Sequence, residues 1–255
     1  MKISFNIESL FQDQDPCEAM RILHEKELNI VEFWSPHDKD LQRIKETKEE
    51  LGIDIACIVV KPESFVDPSN REKALEALKE TAKAANYLGS KLMVHMVGFE
   101  VDGLTRQEMR KSLVEGLKES IPILEEHNVT TAIEPLNIKV DAELSGYYLN
   151  TSEEAFDIVK EINHPLVKVC YDIYHVQIME GHVTSRMINN IDHIAHIQAA
   201  GTPGRHELFI GELNYDNIFD AIKQTDYSGY VGIEYFPIHN PVEDLVQIHQ
   251  KHHTG

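Results

Sequence analysis

The 255-residue sequence has few cysteines, no long apolar run and no excess of positive charge, and each lack excludes something. Cys17, Cys57 and Cys170 are odd in number and widely spaced, so no disulfide frame is expected and a reducing, cytoplasmic setting is implied. No stretch nears the ~18 consecutive apolar residues of a membrane span. The opening "MKISFNIESLF" alternates like a strand and has neither the apolar core nor the cleavage site of a secretory signal. Lys and Arg number 24 against 43 Asp and Glu, a formal charge of −19, which repels phosphate backbones and argues against nucleic acid as a partner. No glycine-rich dinucleotide turn follows the first strand, where "ESLFQDQDP" stands, and no P-loop or nucleophile elbow is found. No Gly/Ser linker divides the chain, so a single domain over 1–255 is expected.

What is present is a repeat. Short β-branched or aromatic runs fall at 2–7, 30–34, 53–60, 91–97, 129–136, 167–174, 194–200 and 230–236. Segments of helical character separate them. Leu75, Leu78, Ala82 and Ala85 lie on one helical face, as do Val114, Leu117, Ile121 and Leu124. "DPS" at 67–69 reads as a helix start, and Thr151 with Glu154 as a capping box. Strand then helix, eight times, is the period of a (β/α)8 TIM barrel in the α/β class. The final "HQKHHTG" reads as a solvated tail.

Barrel chemistry sits at the C-terminal ends of the strands. Strand five ends in Glu134, strand six in Asp172, strand seven in Gln198 and strand eight in Glu234, each in an otherwise apolar run. Successive strands are neighbours, so these four side chains are expected to converge. Three carboxylates need positive charge between them, and no lysine stands at those ends. A divalent cation held by four oxygen ligands is the economical answer, Mg²⁺ or Mn²⁺ ahead of Zn²⁺. His175, three residues past Asp172, is a further ligand or a donor to a substrate oxygen. His95 on strand four points to the same mouth or is a satisfied core histidine. A cation on an α-hydroxy-carbonyl unit acidifies its C–H, and Glu134 and Glu234 could then remove and return a proton. The outcome is isomerisation or epimerisation of a small hydroxy-carbonyl compound.

The motifs "IEP", "YDIYHVQ", "HIQAAGTPGRHE", "GELNY" and "GIEYFP", with "FNIESLF" and "VEFWSPHD", resemble those of the hydroxypyruvate isomerase family, within the xylose isomerase-like barrels. The resemblance spans most of the chain. It implies Glu134 and Glu234 as the proton-transfer pair, and Glu134, Asp172, Gln198 and Glu234 as ligands of the metal. It also implies that His175 and Arg205 face a sugar-acid substrate. Glu212, in the segment after the turn that carries Arg205, is expected to hold the arginine. A paired, homo-oligomeric barrel is in keeping with it. The chain departs from that family after strand three, where "VVKPESFVDPSNREKALEALKETAKAANYLGS" is shorter, a difference that bears on the substrate more than on the reaction.

Other relatives are separated by single positions. Xylose isomerase proper carries a lysine where Leu136 stands. Ketose 3-epimerase, the nearest alternative, carries histidine where Gln198 stands, as does endonuclease IV, which also needs an aspartate–histidine pair absent around Arg205. A sugar-binding barrel without catalysis would have lost a ligand or a glutamate, and none is missing.

Overall fold

The computed structural model describes residues 1–253. Eight parallel strands close into a barrel in chain order. They are β1 (Lys2–Asn6), β2 (Ile30–Phe33), β3 (Asp54–Val59), β4 (Leu92–His95), β5 (Thr130–Ile133), β6 (Val167–Asp172), β7 (Ile194–Ala199) and β8 (Tyr230–Ile233). The eight-fold repeat read from the sequence is therefore the observed one, although most strands stop short of the apolar runs that announce them. No helix among the described residues is long and apolar enough to cross a membrane.

Helices wrap the barrel because their apolar faces match its outer surface. Helix Arg71–Leu88 buries Ala74, Leu78, Ala82 and Ala85, and helix Arg106–His127 buries Leu113, Val114, Leu117 and Leu124. Each fully buried leucine contributes about 1.5–3 kcal/mol relative to exposure. Asp67 starts a 3-10 turn, Pro68–Asn70, that leads into the first of these. The capping box lies at Thr105 and Glu108. At Thr151 only half of one forms: Thr151 accepts from the Glu154 amide, but the Glu154 carboxylate is drawn away to Arg106 and Tyr148.

The C-terminal stretch is not a free tail. Helix Val242–His252 packs on the barrel, His252 is buried and lies 3.0 Å from Asp216, and His253 Nδ1 accepts from the Ile3 amide. The rest of that stretch, Thr254 and Gly255, falls outside the described residues. All three cysteines are buried free thiols.

Inside the barrel, side chains alternate between lumen and helix layer. Cys57, Leu92, Val94, Ala132 and Cys170 form an apolar cluster in the lumen. Beside it lies a polar group. Glu32 of β2 accepts from Ser4 Oγ at 2.7 Å and meets His196 Nε2 at 3.0 Å. Gly232 makes this possible, since a Cβ there would sit 2.5 Å from a Glu32 carboxylate oxygen.

Candidate active site

The ends of β5 to β8 bring the four expected residues together. Asp172 ends β6, and Gln198 is in register with Asp172 on one side and with Gly232 of β8 on the other. Glu134 and Glu234 directly follow β5 and β8. All four are at most 7 % exposed. Glu134, Gln198 and Glu234 line a cavity of about 350 Å³ together with His175, Arg205 and an apolar wall that includes Trp34, Val94, Met96 and Leu136.

Asp172 divides its labour. Oδ1 caps the helix Ile173–Met179 by accepting from the Tyr174 amide at 2.8 Å, while Oδ2 faces Arg205 at 3.2 Å and His175 at 3.5 Å. The positive group missing from the strand ends comes from a loop. Arg205 follows β7 in the left-handed region, φ 56°, and its Nη2 bridges Asp172 and Glu234 Oε1, the latter at 2.8 Å. Its loop is tied to the one after β8: Phe236 N donates to the Arg205 carbonyl, and Ile238 N to Glu207 Oε1. Glu212 does not hold the arginine. Its carboxylate is exposed and accepts from Gln177, and only its amide ties the loop, to the Thr202 carbonyl.

His175 is buried, and its tautomer is fixed by its partners. Asn137 donates to Nδ1 from both its backbone and its side chain, at 3.0 and 2.8 Å. A neutral imidazole that accepts at Nδ1 carries its proton on Nε2. That nitrogen points to Asp172, so it is a donor to the site and has no lone pair for a metal, although it lies close enough to Glu134 and Asp172 to share one. Burial, reinforced by Arg205, keeps its pKa well below the usual range. His95 is the core histidine of the two readings: strand alternation turns Val94 and Met96 to the cavity and His95 outward, edge-on to Phe65.

The electrostatics are unbalanced. Three carboxylates face one guanidinium; when all are ionised they carry two negative charges more than it balances, the charge of one divalent cation. Burial, with the neighbouring acids, raises Glu134 well above the ordinary carboxylate range. Burial also raises Asp172, against the pull of Arg205, and pushes Glu234 up to about 7. The donor set is hard, all oxygen and buried, and fits Mg²⁺ or Mn²⁺ chemistry. Gln198 presents its amide nitrogen to Glu234 and its carbonyl to Cys170 Sγ at 3.0 Å, so a half-turn of the amide would turn Oε1 toward the Glu234 carboxylate.

Three residues near the site are not among those expected from the sequence: Glu32, His196 and Trp34. Glu32 sits in an apolar strand where a polar residue normally faces out, while His196 lies two residues before Gln198, a spacing that puts both on the inner face of β7. Trp34, whose Nε1–H donates to Glu234 Oε1 at 3.1 Å, looks like one more strand aromatic.

The sequence profile of the xylose isomerase-like TIM barrel family matches residues 17–252. Hydroxypyruvate isomerase of Escherichia coli is 28% identical over 93% of this chain and 94% of its own. 2-Oxo-tetronate isomerase of Cupriavidus necator is 30% identical over 81% of this chain and 82% of its own. Among solved structures, a protein of Brucella melitensis described as AP endonuclease, family 2, superposes with a TM-score of 0.90 at 27% identity, covering 99% of both chains.

Proposed function

We propose that this chain, which belongs to the xylose isomerase-like TIM barrel family and within it to the hydroxypyruvate isomerase family, is a divalent-cation-dependent isomerase of small α-hydroxy-carbonyl acids of the hydroxypyruvate or 2-oxo-tetronate type. The observation that carries this reading is the set of three buried carboxylates at the barrel mouth that share a single guanidinium and, once ionised, need two more positive charges. Glu134, Asp172, Gln198 and Glu234 would hold the cation, which when bound polarises the substrate oxygens and acidifies the adjacent C–H.

The two glutamates differ in their surroundings, and that difference divides acid from base. No hydrogen-bond donor among the described residues reaches the Glu134 carboxylate, so of the two glutamates, both ionised on the cation, it is the one that more readily takes up a proton when the substrate's own carboxylate enters the site. Glu234 accepts from Trp34, Gln198 and Arg205, donors that favour its anion. Glu234 therefore takes the C–H proton and Glu134 supplies one to the neighbouring carbon. His175 Nε2–H is placed to donate to a substrate oxygen. Arg205, whose buried Nε has no acceptor, pairs with the substrate carboxylate through its planar fork. The apolar wall keeps water from the carbanion-like carbon.

The likeness to the Brucella protein does not make DNA the substrate. The −19 charge opposes phosphate, and an amide replaces the imidazole that nuclease barrels carry at position 198. A panel of hydroxypyruvate, 2-oxo-tetronates, tetruloses and ketohexoses, followed by NMR in D₂O with Mn²⁺ or Mg²⁺ supplied, tests the proposal. Solvent deuterium on carbon in the product of a hydroxy-carbonyl acid is expected. Conversion without deuterium, or preferential 3-epimerisation of ketohexoses, overturns it.

A further inference from the structure

We infer that Trp34, the single tryptophan of the chain, is a positioning residue that fixes the Glu234 carboxylate for proton transfer; the inference rests on the isomerase reading above. Three donors reach Glu234. Arg205 Nη2 shares Oε1 with the Trp34 indole, at 2.8 and 3.1 Å, and Gln198 Nε2 reaches Oε2. Arg205 and Gln198 are each needed elsewhere as well, since the guanidinium must turn to the substrate and the amide must present its oxygen to the cation. Trp34 has no such second duty, so it is the donor that stays on Glu234 through the cycle.

The indole suits that role chemically. It donates only and does not titrate, so it can neither take the proton that Glu234 abstracts nor neutralise the carboxylate as a lysine would. With Oε1 held, the carboxylate plane is set and Oε2 is left for the chemistry. The tryptophan itself is clamped. Its amide donates to Glu8 Oε2, and Glu8 Oε1 takes Lys39 Nζ at 2.7 Å, in an ion pair whose lysine side chain is only 9% exposed. Its ring packs against Phe236, with centroids 6.3 Å apart. Residues after β1 and β2 thereby hold a base after β8, across the seam where the barrel closes.

One tryptophan gives one indole cross-peak in the ¹⁵N correlation spectrum of the whole protein, which makes the contact directly readable. The peak is expected to move in Glu234→Gln and on adding Mg²⁺, and to stay within a linewidth in Glu134→Gln. Trp34→Phe, which keeps an aromatic ring but loses the donor, is expected to lower kcat about tenfold and weaken Mn²⁺ binding by a similar factor, with KM within twofold of wild type. An indole peak unmoved by Glu234→Gln, or a folded Trp34→Phe with unchanged kcat, overturns the inference, because a packing role alone gives those results. If wild type converts none of the panel substrates while the peak still answers to Glu234→Gln, the reaction reading fails and the positioning of Glu234 stands.

Discussion

Two groups of buried acids share this barrel and are treated in opposite ways. Glu32, fully buried in the lumen, is matched on every side: burial alone would raise it, but His196 at 3.0 Å, with Ser4 and Gln198, holds its pKa below the ordinary value. At the mouth, Glu134, Asp172 and Glu234 are nearly as buried, share one arginine, and are all raised. Burial is common to both, so burial does not mark the site. The missing counter-charge does. A buried acid that the protein has fully partnered holds the fold, and one it has left short is kept for something that arrives from outside.

The contrast breaks most directly by mutation. Glu234→Gln removes a like charge from the mouth and is expected to lower kcat about a thousandfold, with the melting temperature unchanged or raised. Glu32→Ala strands His196 and Ser4 and is expected to cost about 3 kcal/mol of stability by denaturant unfolding. If Glu234→Gln unfolds the protein, or Glu32→Ala is neutral, the two groups are not of different kinds.

A smaller effect sharpens the same contrast through pH. Glu234 is raised to about 7, so the folded cation-free protein keeps a proton that the unfolded chain releases near pH 4.5. Its contribution is stabilising below that ordinary value and is lost as pH rises through about 7. Glu134 and Asp172 are raised in the same direction. A cation that needs these groups ionised reverses the trend. Thermal unfolding is therefore expected to show a Mn²⁺-induced rise larger at pH 8 than at pH 5.5. A rise independent of pH contradicts the assignment of these acids as ligands.

Much of this was legible in the sequence, because eight short β-branched runs separated by helical faces admit few other folds. The mouth was legible for a related reason: a carboxylate or amide ending an apolar strand has one place to go in a barrel. Glu32 was not, since a polar residue inside a strand usually faces out, and only its partner and the glycine opposite, Gly232, reveal that it faces in; His196 could have been placed, two residues before Gln198 on the same face of β7. Arg205 was expected at the mouth, but its bridge between Asp172 and Glu234 depends on a loop whose path no local pattern specifies. His95 and Glu212 went the other way. Strand alternation turned the first outward, and an exposed loop gave the second to Gln177. The Thr151 cap was half right because Arg106, far off in sequence, competes for Glu154.

The central claim is that the mouth acids, and not Glu32, are completed by a divalent cation. Calorimetric titration of Mn²⁺ into EDTA-treated protein tests it most directly. The account predicts one saturable site per chain, lost in Asp172→Asn and retained in Glu32→Gln. No binding to the wild type, or binding that survives Asp172→Asn and fails in Glu32→Gln, contradicts it.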